Sequence, residues 1–321
     1  MVTLVQTLRG GIDAEGLGAT LMHEHVFVVD PEIIENVETD WHEEAALLDA
    51  ARRLDELYTA GIHTIVDLTV IGIGRSVRRL QRVPVTSPLN IVVATGIYAF
   101  YDLPSYFKFR KADVLVDYFV REIEQGIGDT GVRAGILKCA TDEAGVTAGV
   151  EKILRSVARA HLRTGAPIST HTHAGTRRGL DQLKIFAEEG VDPTRVVIGH
   201  SGDSTNLDYL LAVADSGAYL GMDRFGIDTF AGFDDRVATV ARLCSLGRAD
   251  QIVLSHDANC YIDYFPGGRP PEALHNWHYL HISRDVLPAL KDRGVTDGQI
   301  DQMLVVNPRR VLGGTDAPVW S

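Results

Sequence analysis

Eight short β-branched or apolar runs recur along this chain, each followed by a stretch with helical spacing, and that rhythm constrains the fold more than any other feature. The runs are TLMHEHVFV (20–28), HTIVDLTV (63–70), NIVVATGIY (90–98), AGILKCA (134–140), PISTHTH (167–173), RVVIGHS (195–201), AYLGMDR (218–224) and QIVLSHD (251–257). Strands alternating with helical patterns predict βαβ units and a parallel sheet. Stretches such as IVVA and VVIG suit strands covered on both faces. Eight such units predict an α/β fold, a single (β/α)8 TIM barrel spanning residues 1–321, and the chain length suits one such domain. The alternative is an open doubly wound sheet, but no glycine-rich dinucleotide fingerprint follows the first strand.

The helices between the runs are readable. Over 43–58, Leu47, Ala50, Ala51, Leu54, Leu57 and Tyr58 share one stripe with charges opposite. Asp40 followed by Glu43 resembles a capping box, and Gly61 suits a left-handed C-terminal cap. Similar patterns cover 113–125, 149–164, 176–189, 205–216 and 233–246. The longest, 272–293, follows YFPGGRPP (264–271), which predicts a long loop after the eighth strand. Residues 1–19 are expected to form a short cap beneath the barrel.

Composition excludes several classes. A formal charge of -12 disfavours nucleic-acid binding, which wants a basic stripe. No apolar run approaches the roughly 20 residues of a membrane span, and the N-terminus shows no signal-peptide core. Three widely spaced cysteines, Cys139, Cys244 and Cys260, match neither a disulfide framework nor zinc-finger spacing, and fit a cytoplasmic location.

Polar residues cluster by position. His23, His25, Asp67, Tyr98, Lys138, His171, His173, His200, Asp223, Arg224, His256 and Asp257 fall at the C-terminal ends of the proposed strands, where barrel active sites lie. Residues i and i+2 of a strand share a face, so His23 and His25 can chelate one cation. His171 and His200 end the fifth and sixth strands. Asp257 ends the eighth, beside a His256 that must face the other way. Four histidines and a carboxylate from four strands can converge at one mouth, which points to a metal site. His173 falls beyond its strand end and is expected to be solvated or to support a ligand. His42, His63, His161, His275, His278 and His281 read as structural or surface residues.

Lys138 is less easily placed. Two dications about 3.6 Å apart repel by roughly 18 kcal/mol at an effective dielectric of 20, so a two-metal site needs anions. A lysine carbamate would supply a bidentate one. An ion pair with Asp67 or Asp223, or a Schiff-base lysine, are the alternatives.

The motifs HEH (23–25), Lys138 in GILKC, His171 in STHTHAGT, His200 in VIGHSGD and Asp257 in SHDAN resemble those of the amidohydrolase superfamily. From about residue 3 to 313 the chain resembles the phosphotriesterase family, and LGATLMHEHVF, VATGIY and GMDRFG look like its phosphotriesterase-like lactonase branch. The resemblance implies two divalent metal ions per chain, zinc foremost, with iron, cobalt or manganese as alternatives. His23, His25 and Asp257 would hold the more buried ion and His171 and His200 the more exposed one. Carboxylated Lys138 and a hydroxide would bridge the two. Tyr98 would position the substrate carbonyl, Arg224 would line the lactone pocket, and Tyr264, where relatives often carry Trp, would shape the acyl channel. Asp257, Tyr98 and Lys138 would carry the catalysis.

The implied activity is hydrolysis of N-acyl homoserine lactones, a quorum-quenching reaction, with phosphotriesters such as paraoxon as side substrates. The alternatives are a dedicated phosphotriesterase, or another esterase or deacylase on the same metals. A barrel that binds without catalysis is the rival from another class, but it would be expected to have lost ligands. The implied partner is a second copy, as a homodimer.

Overall fold

A computed structural model describes residues 4–314. Eight parallel strands form the sheet: β1 (Thr20–Glu24), β2 (Thr64–Asp67), β3 (Asn90–Gly96), β4 (Ile136–Thr141), β5 (Ile168–Thr172), β6 (Val196–Ile198), β7 (Tyr219–Met222) and β8 (Ile252–Leu254). Each pairs with the next in sequence order. The helices that follow them in turn are α1 (Glu43–Thr59), α2 (Val77–Gln81), α3 (Ala112–Glu124), α4 (Ala148–Thr164), α5 (Arg178–Glu189), α6 (Leu207–Asp215), α7 (Phe233–Ser245) and α8 (Leu287–Asp292). This is the (β/α)8 barrel that the eightfold rhythm predicts.

The period-2 alternation of strands divides the core. Leu21, Ile65, Val93, Leu137, Ile168 and Leu220 pack outward among the helices. Met22, Val66, Val92, Ile136, Val197 and Val253 fill the barrel interior with Val5 and Val311. The hairpin Leu4–Thr7 and Gly10–Asp13 lies beneath, tied to the start of β3 by Leu8 N–H donating to Ile91 C=O at 2.7 Å. It is the cap expected of the first residues.

Between β1 and β8 the barrel closes mainly through side chains. The main-chain N–H of His23 donates to Ser255 Oγ at 2.7 Å. Asp257 N–H donates to His23 C=O at 3.0 Å, and His25 N–H to Ala258 C=O at 2.9 Å. Glu24, fully buried, accepts from Ser255 Oγ (3.0 Å), His256 N–H (2.9 Å) and His256 Nδ1 (2.8 Å) on one carboxylate oxygen, and from Ala258 N–H (2.8 Å) on the other. His256 Nε2 accepts from Ile282 N–H at 2.8 Å, which assigns the ring proton to Nδ1. His256 therefore faces outward, as the alternation requires, and supports the seam rather than the mouth.

Three local expectations need correction. α1 starts at Glu43 without a side-chain cap, because Asp40 turns away to accept from Gly267 N–H at 3.0 Å. The helix after β8 begins well beyond 272: residues up to 280 are loop and short turns, and a wide turn over Ile282–Val286 leads into α8. Pro288 in the first turn of α8 has no N–H to give, which favours the wider turn before it. Strands are shorter than the apolar runs because pairing stops where the loops diverge.

Removing the Glu24 carboxylate orphans four buried donors, each costing about 1–3 kcal/mol if it finds no other partner. Glu24→Ala is expected to lower the unfolding free energy by about 3–5 kcal/mol, read from the urea midpoint at constant slope. An unchanged midpoint would show that the seam holds without it.

Candidate metal centre

β1 carries a bulge: it advances from Leu21 to Glu24 while β2 advances from Ile65 to Asp67. A bulge re-aims the side chains that follow it. Met22 already fills the interior, so strict alternation would turn His23 outward. The bulge instead brings His23 and His25 to the mouth. β3 approaches β4 closely behind Lys138, and Gly96 (φ +155°) permits it, since a Cβ there would strike the Lys138 carbonyl.

At the ends of β6, β7 and β8 the turns are strained. His200 (φ +59°), Arg224 (φ +62°) and Asp257 (φ +57°) are all left-handed. That conformation costs about 1–2 kcal/mol for a residue with a Cβ. Three such residues at adjacent strand ends mark the place where backbone comfort yields to side-chain aim.

The four inward histidines are each oriented from outside. His23 Nδ1–H donates to Asp223 Oδ2 at 2.9 Å, and His200 Nδ1–H to Asp223 Oδ1 at 2.8 Å. His25 Nδ1–H donates to Thr69 Oγ1 at 2.8 Å. His171 donates from Nε2–H to Asp142 Oδ2 at 2.9 Å. The inward atoms are therefore the bare Nε2 of His23, His25 and His200 and the bare Nδ1 of His171. Donor atoms of His23, His200 and Asp257 lie within 4.8 Å of one another. His25 Nε2 is 3.0 Å from Asp257 Oδ1. His200 Nε2 faces His171 Nδ1 at 2.9 Å. Two lone pairs that close repel unless a cation or proton lies between, so this donor set fits divalent metal binding.

The titration behaviour agrees. Burial holds His23, His171 and His200 below the ordinary histidine value, His171 at about 4, so they present neutral ligands. Burial alone would raise Asp257, but its surroundings, with the Arg224 guanidinium bonded to Oδ2, outweigh it and keep the carboxylate ionised. Lys138 is fully buried with Nζ 3.1 Å from His23 Nε2. Burial lowers it to about 8, against the pull of Asp257 and Asp223. Among the described residues it makes no salt bridge, so the alternative of a lysine paired to Asp67 or Asp223 finds no contact. Asp67 instead accepts from Thr69 N–H at 2.9 Å.

All six residues expected as ligands, His23, His25, Lys138, His171, His200 and Asp257, thus meet at one mouth. Tyr98 joins them, its hydroxyl 3.2 Å from His171 Nδ1. Burial raises the Tyr98 phenol well above its usual value, so it stays a donor. Arg224 does more than line the cavity: Nε donates to Asp257 Oδ2 at 3.0 Å and Nη1 to Asp203 Oδ2 at 2.9 Å. Tyr264 stands at the rim, 63% exposed. His173 faces Thr176 and lies outside the cluster. The Trp277 indole N–H donates to the carbonyls of His256 and Asp257 and secures that turn. Sequence reasoning missed Asp142, Asp203, Thr69 and the orienting role of Asp223. Only Asp223, on an inward strand end, left a signal.

A sequence profile of the phosphotriesterase family matches residues 3–312. The chain belongs to the phosphotriesterase family. It is thereby a hydrolase of the amidohydrolase superfamily. It is 58% identical over 316 residues to a phosphotriesterase homology protein of Mycobacterium tuberculosis strain H37Rv, covering 96% of this chain and 97% of that one. It is 38% identical over 305 residues to an aryldialkylphosphatase of Saccharolobus solfataricus, covering 94% and 97%. A solved structure of the phosphotriesterase from Mycobacterium tuberculosis superposes with a TM-score of 0.94 at 57% identity, covering 97% of this chain and 99% of that one. In this phosphotriesterase-family barrel, no helix among the described residues is long and apolar enough to cross a membrane.

The orientation of His171 by Asp142 gives a direct test. Asp142→Ala is expected to weaken metal retention at His171 by about 10–100-fold, measured by chelator competition with metal analysis. Unchanged metal retention would remove Asp142 from the site.

Proposed function

We propose that this hydrolase opens the ring of N-acyl homoserine lactones, with phosphotriesters such as paraoxon as secondary substrates. The supporting observation is the cavity above the inward imidazoles. It measures about 340 Å³ and is lined by Val28, Ile73, Ile227, Phe230, Phe265 and Leu274, with Tyr98 and Arg224 beside the imidazoles. An apolar channel ending on a polar floor suits an acyl chain carrying a compact polar ring.

In this reading His23, His25 and Asp257 would hold one divalent cation and His171 and His200 a second, and Lys138, as its carbamate, would supply the further anionic ligand. Zinc is the first candidate, with iron, cobalt and manganese also compatible with these ligands. Bound there, the pair of cations would supply a water ionised near neutral pH and polarise the lactone carbonyl. The chain's own residues do the rest. Tyr98, held protonated, donates from its hydroxyl to the carbonyl oxygen as negative charge develops on it. Asp257 takes up the proton of the attacking water and returns it to the departing ring oxygen. Arg224, bonded to Asp257 Oδ2, keeps that carboxylate ionised and aimed. The apolar walls and Tyr264 at the rim exclude bulk water and seat the acyl chain. The same floor accepts the tetrahedral phosphorus of a phosphotriester, which shares its shape with the lactone transition state.

The test is chromatographic measurement of ring opening for lactones of graded chain length, beside paraoxon hydrolysis, with metal content read on the same sample. Two metal equivalents per chain are expected, with kcat/KM for the best lactone at least about tenfold above paraoxon. Efficient paraoxon cleavage without lactone opening would reverse the ranking. Lys138→Ala is expected to abolish activity and weaken retention of both metals, with partial rescue by a short carboxylate added with metal. Full activity in that variant would remove the carbamate from the reading.

A further inference from the structure

Two polar residues, exposed Thr229 and buried Asn259, interrupt the apolar wall of the cavity. Asn259 lines it and is only 5% exposed. Its amide oxygen Oδ1 is buried and finds no donor among the described residues. An amide oxygen left in this way costs stability, and an apolar side chain of similar volume would fill the position without that cost. Oδ1 lies just beneath the cavity surface, and the last torsion of an asparagine is soft, so a turn about it brings this unsatisfied oxygen to a ligand.

The chain fixes how far this group lies from the chemistry. Asn259 follows Asp257 by two residues, and two residues span at most about 7 Å. The Asp257 carboxylate sits among the inward imidazoles, 3.0 Å from His25 Nε2. The Asn259 backbone therefore lies close to the inward imidazoles, on the part of the wall nearer the reacting carbonyl than the distal acyl tail.

We propose that Asn259 is a specificity-determining residue that reads a secondary amide on the ring carbon adjacent to the scissile carbonyl. A primary amide offers an acceptor and a donor side by side. The N–H and C=O of a trans secondary amide point in opposite directions, so a single contact reads it: Oδ1 accepts from the N–H of the substrate amide. The enzyme then prefers N-acylated lactones over plain alkyl lactones of equal length. A site built to hydrogen-bond a ligand group rejects the analogue that lacks it, because its own polar atoms are left unpaired. A phosphotriester without N–H groups draws nothing from Asn259. This inference rests on the lactonase reading above.

The test compares the metal-loaded wild type with Asn259→Leu, which keeps the branched shape and removes the amide. Asn259→Ala, which cannot overpack the wall, is the second variant. Three substrates are assayed: N-octanoyl homoserine lactone, γ-dodecanolactone and paraoxon. In both variants kcat/KM for the N-acyl lactone is expected to fall about tenfold or more, and to change by less than about twofold for the other two. The thermal midpoint of Asn259→Leu is expected to hold or rise, since no partner within the protein is lost. An unchanged preference overturns the proposal, and so do equal losses on all three substrates with a lowered midpoint. If the wild type opens neither lactone, the lactonase reading falls and this inference with it. If it opens both and the variants keep the wild-type preference, only this inference falls.

Discussion

Asp223 receives the Nδ1–H of His23 from the first strand and of His200 from the sixth, and it also accepts the main-chain N–H of His200 on both oxygens at 2.9 and 3.0 Å. A single buried carboxylate thus sets the tautomer and ring plane of two imidazoles that are far apart in the chain. Those rings stack at 4.8 Å between centroids. Asp223 is itself steadied, since Arg236 donates to its carbonyl at 3.0 Å and to Asp203 Oδ1 at 2.7 Å. Asp203 in turn holds Arg224, and Arg224 holds Asp257. The inward atoms face one mouth because this relay of charges, running round the outside of the cluster, leaves each ring one orientation.

Burial makes such an arrangement both costly and selective. Desolvation keeps the imidazoles neutral and pushes Lys138 towards a neutral amine, the form that a ligand or a carbamate requires. The same desolvation would protonate Asp257 and Asp223 if cationic and N–H donors did not surround them. The mouth therefore sorts its acids and bases by what each one touches: carboxylates meet donors, while the lysine meets an imidazole nitrogen.

The barrel was legible because strands covered on both faces read as apolar runs, and eight of them at even spacing have few other solutions. The six proposed ligands were legible because each sits at a strand end with an unusual side chain for that place. What escaped was set by tertiary direction. The bulge that turns His23 inward leaves no trace in the pattern TLMHEH, since alternation from Met22 would aim it out. Asp142 and Asp203 lie in loops, where no period tells which way a side chain points. The helix expected from 272 failed because Leu274 and Trp277, spaced as on a helix, are apolar in order to line the cavity. Asp40 looked like a cap by spacing but is used to hold the loop at Gly267. Asn259 carries no pattern at all, and only its unpaired amide within the wall distinguishes it.

The seam between the first and last strands has a consequence for how the protein is made. Its two sides are separated by more than two hundred residues, so Glu24 has no partner until the end of the barrel has left the ribosome. His23 and His25 wait equally for Asp257. Fragments ending before the eighth strand carry most of the histidines without a closed ring to hold them. Closing so long a loop is a late and slow event in folding, and here the residues that complete the ring are neighbours of those that complete the mouth. Maturation of the centre and closure of the barrel are then one step.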